Sequence, residues 1–116
     1  MSNTDVVRAY MQTLFSGKLH PDHLRKYLDS GFELVDPLMS ARGVDDFIQQ
    51  LKARGEELAL QGEVREIVSE GDFVATLVAF HGPRGPITYS QWFTVCDGKI
   101  TRLEVFYDPR SFIGGR

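Results

Sequence analysis

Asp36 lies in the run Phe32-Glu33-Leu34-Val35-Asp36-Pro37. Side chains alternate along a strand, so Phe32, Leu34 and Asp36 share one face and Glu33 and Val35 the other. The alternation aims a carboxylate at an apolar side, where burial disfavours its charged form and raises its pKa. A carboxylate in that setting can act as a base near neutral pH. The competing reading is a cap at the strand end, closing the Asp-Pro turn. Tyr10 falls on the stripe Val7, Tyr10, Met11, Leu14, spaced i, i+3, i+4, i+7 as on one helix face. A buried phenol needs a partner for its hydroxyl, either a bound oxygen or a backbone carbonyl. Gln91 shares a strand face with Tyr89 and Phe93. An inward amide is costly unless hydrogen-bonded, so it serves a ligand or a neighbouring loop.

Other reactive residue types form weaker patterns. His20 and His23 stand three apart at a helix start, with no evident third ligand, so no metal site is expected. His81 ends a strand, at a pocket mouth or on the surface. Cys96 is out of phase with Gln91 beside a turn and reads as a small packing residue. Arg102 and Glu104 alternate away from Leu103, Val105 and Tyr107, as a solvated or interface pair would. Gly82-Pro83-Arg84-Gly85 is not followed by a helix, so it is no phosphate loop.

The elements that must position these residues follow from periodicity and punctuation. Asn3 and Thr4 are candidate N-caps of a first helix, with Asp5 at its positive end and Gly17 at its close. A second short helix begins near Pro21, carries Leu24, Tyr27 and Leu28 inward, and stops at Gly31. The strand Phe32–Asp36 ends at Pro37. A third helix follows Gly43, with Asp45 and Asp46 in its first turn. It presents Val44, Phe47, Ile48 and Leu51 on one face and breaks at Gly55. Strands then cover Glu63–Ser69, Phe73–His81, Ile87–Cys96 and Lys99–Tyr107. Between them come a Glu-Gly-Asp turn, a loop over 82–86 and an Asp97-Gly98 hairpin turn. Gly114-Gly115-Arg116 is a tail. Helices followed by a run of strands make an α+β domain.

The strands are apolar on both faces, whereas a sheet with one wet face alternates cleanly. Tyr89, Phe93 and Val95 point one way and Trp92 the other; Phe73, Leu77 and Ala79 oppose Val74, Val78 and Phe80. Three helices cover one side. The other, expected to carry Trp92, Val74, Val78, Phe80 and Phe106 with Thr88, Ser90, Thr94 and Arg102 as a polar rim, calls for a second copy of the chain in a two-fold dimer.

The whole chain, 1–116, is one domain, ordered over about 4–112. Its 42% hydrophobic and 25% charged residues exclude disorder. A net charge of −3 argues against a nucleic-acid partner. A lone cysteine permits no internal disulfide and no multi-cysteine zinc site. The first residues lack a secretory pattern, and the longest apolar run, Phe73 to Phe80, is too short for a bilayer. A cytoplasmic protein with no membrane partner is expected.

Val6-Val7-Arg8-Ala9-Tyr10, Val35-Asp36-Pro37, Glu63-Val64-Arg65, and Gln91-Trp92-Phe93 with Gly98-Lys99-Ile100 occur in the order and rough spacing seen in ketosteroid isomerases. From Thr4 to Phe112 the chain resembles the nuclear transport factor 2-like superfamily, which includes the SnoaL-type polyketide cyclases. That resemblance implies a cone: a curved mixed sheet wrapped around three helices, enclosing an apolar pocket. In the isomerases an aspartate before a proline moves a proton beside a ketone. A first-helix tyrosine and a protonated aspartate on a late strand hold the enolate oxygen. The resemblance sets Asp36 at the base and Tyr10 at the tyrosine. It puts Gln91 where the protonated aspartate stands, a departure that replaces the carboxylic acid by an amide and keeps two donors for one oxygen. The chemistry implied needs no cofactor and no metal. The ligand implied is a hydrophobic small molecule, walled by Leu34, Met39, Phe47, Leu77, Phe93, Leu103 and Val105. The same fold also hosts ligand-binding and interaction modules without catalysis.

Overall fold

A computed structural model of the chain describes residues 1–16, 18–54, 62–82 and 85–111. The expected helix ends at Gly17 and Gly55, residues 83 and 84 of the 82–86 loop, the tail 114–116, and the side chains of Phe80 and His81 lie outside that description.

Helix α1 spans Asn3–Leu14 and buries Val6, Val7, Tyr10, Met11 and Leu14. Its cap is Ser2, one residue before the expected Asn3 and Thr4. The Ser2 hydroxyl accepts from the Asp5 N–H, and the Asp5 carboxylate accepts from the Ser2 N–H, a reciprocal capping box. Asn3 instead donates from Nδ2 to the Gly71 carbonyl, pinning the helix start to a hairpin turn. Helix α2, Pro21–Arg25, is shorter than expected and keeps only Leu24 buried. Strand β1 already begins at Leu28 and runs to Val35, so Gly31 lies inside a strand and does not stop a helix. Parallel pairing with β6 wins over the apolar spacing of Leu24, Tyr27 and Leu28. Leu28 pairs with Ile100, far along the chain.

A three-residue strand, β2 (Ser40–Arg42), was not foreseen. It doubles back on β1 with Leu34 opposite Ala41. Helix α3, Val44–Arg54, starts where expected, behind Gly43. Gly43 takes φ +87° and donates its N–H to the Phe32 carbonyl, a backbone turn that a side chain would strain. Strands β3 (Glu63–Glu70), β4 (Phe73–Gly82), β5 (Gly85–Cys96) and β6 (Lys99–Phe106) complete one curved, unclosed sheet in the order β2-β1-β6-β5-β4-β3. Every pairing is antiparallel except β1 with β6. The hydrophobic core lies between the sheet and the helices, with Tyr10, Phe32, Phe93, Met11, Leu24 and Ile48 fully enclosed.

The face assignment of β4 is corrected. Cross-strand partners share a face, and β4 pairs with β5 as Val74–Phe93, Thr76–Gln91 and Val78–Tyr89. Val74 and Val78 are therefore wholly buried on the helix side, not on the outer face. Leu77, opposite Ser90, is 38% exposed on the outside and cannot wall an interior pocket. Alternation alone leaves a strand with apolar residues on both sides ambiguous; only pairing register decides which set faces in. On β5 the expected faces hold: Gln91, Phe93 and Val95 are buried and Trp92 is exposed.

Candidate functional site

The parallel pairing of β1 with β6 sets the C-terminal ends of two strands side by side, with Leu34 opposite Leu103 and Val35 opposite Glu104. Asp36 follows directly, half-buried, one step beyond the strand. Its Oδ1 accepts from the Leu38 N–H at 2.9 Å, which makes the Asp-Pro turn a side-chain-capped turn. The same oxygen accepts from the Tyr107 hydroxyl at 2.6 Å. The turn-capping bond is present, and the same oxygen also meets a residue from the far end of the chain.

Tyr107 follows β6 in the phase of Leu103 and Val105. Its ring meets that of Tyr89 edge-on, with centroids 6.3 Å apart and planes at 70°. Burial pushes the Tyr89 phenol far above its ordinary range, and the nearby Asp36 charge pushes it the same way. Tyr10, from the middle of α1, arrives from the helix side and packs edge-on against Phe93 at 5.8 Å. Burial, then the neighbouring Tyr89, raises its phenol strongly too. Both remain neutral hydrogen-bond donors at any physiological pH. The Tyr10 Oη is buried with no hydrogen-bond partner among the described residues. Most buried polar atoms find a partner, so an orphan hydroxyl calls for explanation.

Gln91 is 5% exposed, beside the equally buried Thr76 on β4. The Thr76 hydroxyl donates to Gln91 Oε1 at 3.0 Å. With its carbonyl end occupied, the amide has Nε2 left as the donor. Gln91 lies on the inward face of β5 between Tyr89 and Phe93.

Asp36, Tyr107 and Tyr89 therefore meet at one end of the sheet, with Gln91 one inward position along from Tyr89 and Tyr10 packed on Phe93 from the helix side. Of the expected wall, Leu34, Phe47, Phe93 and Leu103 are buried in the core, and Met39 and Val105 pack against it; Leu77 does not join them. Tyr107 and Tyr89 were not singled out from sequence as functional. Their inward phase was readable there, but not their proximity to Asp36, which depends on the β1–β6 and β5–β6 registers. His20 and His23 stack on each other at 5.4 Å on the surface, away from this group. Cys96 is exposed. Arg102 lies between Glu33 and Glu104 in an ion-pair cluster on the outer face. Among the described residues no group of three or more His, Cys, Asp or Glu is arranged to hold a metal, and no helix is long and apolar enough to cross a membrane.

A six-stranded curved sheet around three helices, with a polar group at its inner end, defines the cone of the nuclear transport factor 2-like class. The SnoaL-like domain model matches residues 7–103, and the chain belongs to that family. Solved structures share the fold at low identity. An NTF2-like protein of unknown function from Cytophaga hutchinsonii is 20% identical, with a TM-score of 0.80 over 95% of this chain and 93% of that one. A Jannaschia sp. CCS1 protein named for the SnoaL-like polyketide cyclases is 17% identical, with a TM-score of 0.79 over 98% and 93%. A Catenulispora acidiphila protein with a ketosteroid isomerase-like fold, in complex with trimethylamine, is 12% identical, with a TM-score of 0.78 over 97% and 92%. No curated protein sequence matches the chain.

Proposed function

We propose that the protein is a small cofactor-independent enzyme that moves a proton next to a carbonyl, in the manner of an isomerase or cyclase, on a hydrophobic small molecule, and that it works as a homodimer. The observation that carries this reading is the orphan Tyr10 hydroxyl, on a ring packed against Phe93 of the β5 face that also carries Gln91 and Tyr89. A buried donor without a partner costs about 1–3 kcal/mol, a cost recovered when a ligand oxygen arrives. Asp36 takes a proton from the carbon beside the carbonyl. The C–H electron pair moves into an enolate, and the negative charge reaches the carbonyl oxygen. Tyr10 and the Gln91 amide stabilise that oxygen, and Asp36 returns the proton to another carbon. The family, the polyketide cyclase name of one structural neighbour and the ketosteroid isomerase-like fold of another support this chemistry.

The test is proton exchange. In D2O the protein should wash deuterium into the position beside the carbonyl of apolar cyclic β,γ-unsaturated ketones and conjugate them, followed by ultraviolet absorbance. Asp36→Asn should reduce that rate to the buffer background with the fold retained. A ligand-binding module is the second reading, favoured by the turn-capping bond that already occupies Asp36 Oδ1. Binding of the same ketones with no exchange above background would establish that alternative.

A further inference from the structure

We infer that Tyr107 is a positioning residue for Asp36, holding Oδ1 so that Oδ2 is the oxygen that takes the proton. The inference rests on the reading of Asp36 as a base and assigns the atom and its support. A carboxylate at the end of a strand can rotate, and a single bond from its own turn, Leu38 N–H to Oδ1 at 2.9 Å, leaves it a pivot. Tyr107 supplies a second bond to that oxygen from 71 residues away in sequence, at 2.6 Å, the short range of a hydroxyl on a carboxylate. With two donors converging on Oδ1, the carboxylate plane is defined. Oδ2 has no hydrogen-bond partner among the described residues.

The tyrosine is itself held. Its ring sits edge-on to Tyr89, which faces Val78 across the sheet. The base and its support thus meet beyond the paired ends of β1 and β6. Loss of the Tyr107 hydroxyl frees the carboxylate to turn, which lowers the fraction of bound complexes aligned for transfer. Small misplacements of a reacting group cost up to roughly 10²-fold in rate.

Tyr107→Phe keeps the ring and its packing while deleting the hydroxyl. With a ketone that the parent exchanges, kcat should fall by about 10- to 100-fold, with KM little changed. Purely structural support would not alter the split between kcat and KM. An unchanged kcat in Tyr107→Phe would overturn the inference. If the parent exchanges no ketone at all, the proton-transfer reading fails and proton NMR decides the positioning contact separately. A downfield hydroxyl proton in the parent, absent from Tyr107→Phe and moved upfield in Asp36→Asn, would uphold it. Its absence from the parent would overturn it.

Discussion

Tyr10 is where stability and activity pull apart. Its hydroxyl is buried without a partner, so Tyr10→Phe should stabilise the empty protein by about 1 kcal/mol, read as a rise in Tm of roughly 3–6 °C. The same change should slow exchange about 10²–10³-fold if the hydroxyl holds the developing oxyanion. A lower Tm in Tyr10→Phe would mean that the hydroxyl is already satisfied inside the fold, and the argument from the orphan group would collapse. Tyr10 and Tyr89 also set the alkaline limit. Both phenols are raised above their ordinary value of 10.0, so above that pH the unfolded chain loses these protons while the folded chain keeps them. Stability is therefore full below about pH 10 and falls as pH rises toward the folded values. Each tyrosine contributes a slope of at most about 1.4 kcal/mol per pH unit. Urea unfolding between pH 9 and 11 should show a shallower decline in Tyr89→Phe than in the parent (roughly the range bracketing the ordinary value).

At the scale of elements, two local devices keep the site's supports in place. The Ser2–Asp5 capping box starts the helix that delivers Tyr10, and Ser2→Ala should cost about 1 kcal/mol in chemical denaturation. Asp97 and Gly98 close the β5–β6 hairpin with φ of 51° and 76°. That mirror-image turn matches the twist of the two strands. A side chain added at Gly98 would meet nothing within 4 Å, so the cost of Gly98→Ala is backbone strain alone, about 1–2 kcal/mol. A neutral result for Gly98→Ala would mean that the turn relaxes without disturbing the strands that place Gln91 and Tyr107. The Asp-Gly pair and the Gly43 helix start were legible in the sequence, because turn chemistry is local. The three-residue β2 and the early start of β1 were not. Short strands exist only through their partners, and Ala41 is specified as a strand residue by Leu34 across from it.

For the whole molecule, assembly turns on the outer sheet face. Phe73 and Trp92 are each 46% exposed, with their rings 5.7 Å apart and tilted by 40°; Leu77 and the 53% exposed Phe106 flank them. Of the five residues expected on this face, Trp92 and Phe106 are exposed there and Val74 and Val78 are buried on the other; Phe73 and Leu77 take their place, and the side chain of Phe80 lies outside the described residues. Beside it Arg102 sits between Glu33 and Glu104, opposite charges that a two-fold axis can pair with their own copies. Sedimentation equilibrium at micromolar concentration should give twice the 13.1 kDa chain mass, and Trp92→Glu should halve it with the fold intact. A parent that sediments as a monomer would remove the homodimer.

What the sequence by itself determined is the α+β class, the hairpin turns, the helix faces of α1 and α3, and the inward phase of Tyr10, Gln91 and Phe93. Each rests on periods of two or 3.6 residues and on turn chemistry, which act between near neighbours. What only the tertiary structure decided is which face of β4 turns inward, and that Asp36 meets Tyr107. Both depend on strand register between segments far apart in the chain. In a strand with apolar residues on both sides, a shift of one residue exchanges inside for outside at little local cost. Asp36 and Tyr107 become neighbours because β1 runs parallel to β6 with Val35 opposite Glu104. Periodicity along either segment carries no trace of that alignment, since it is selected by the packing of the assembled core.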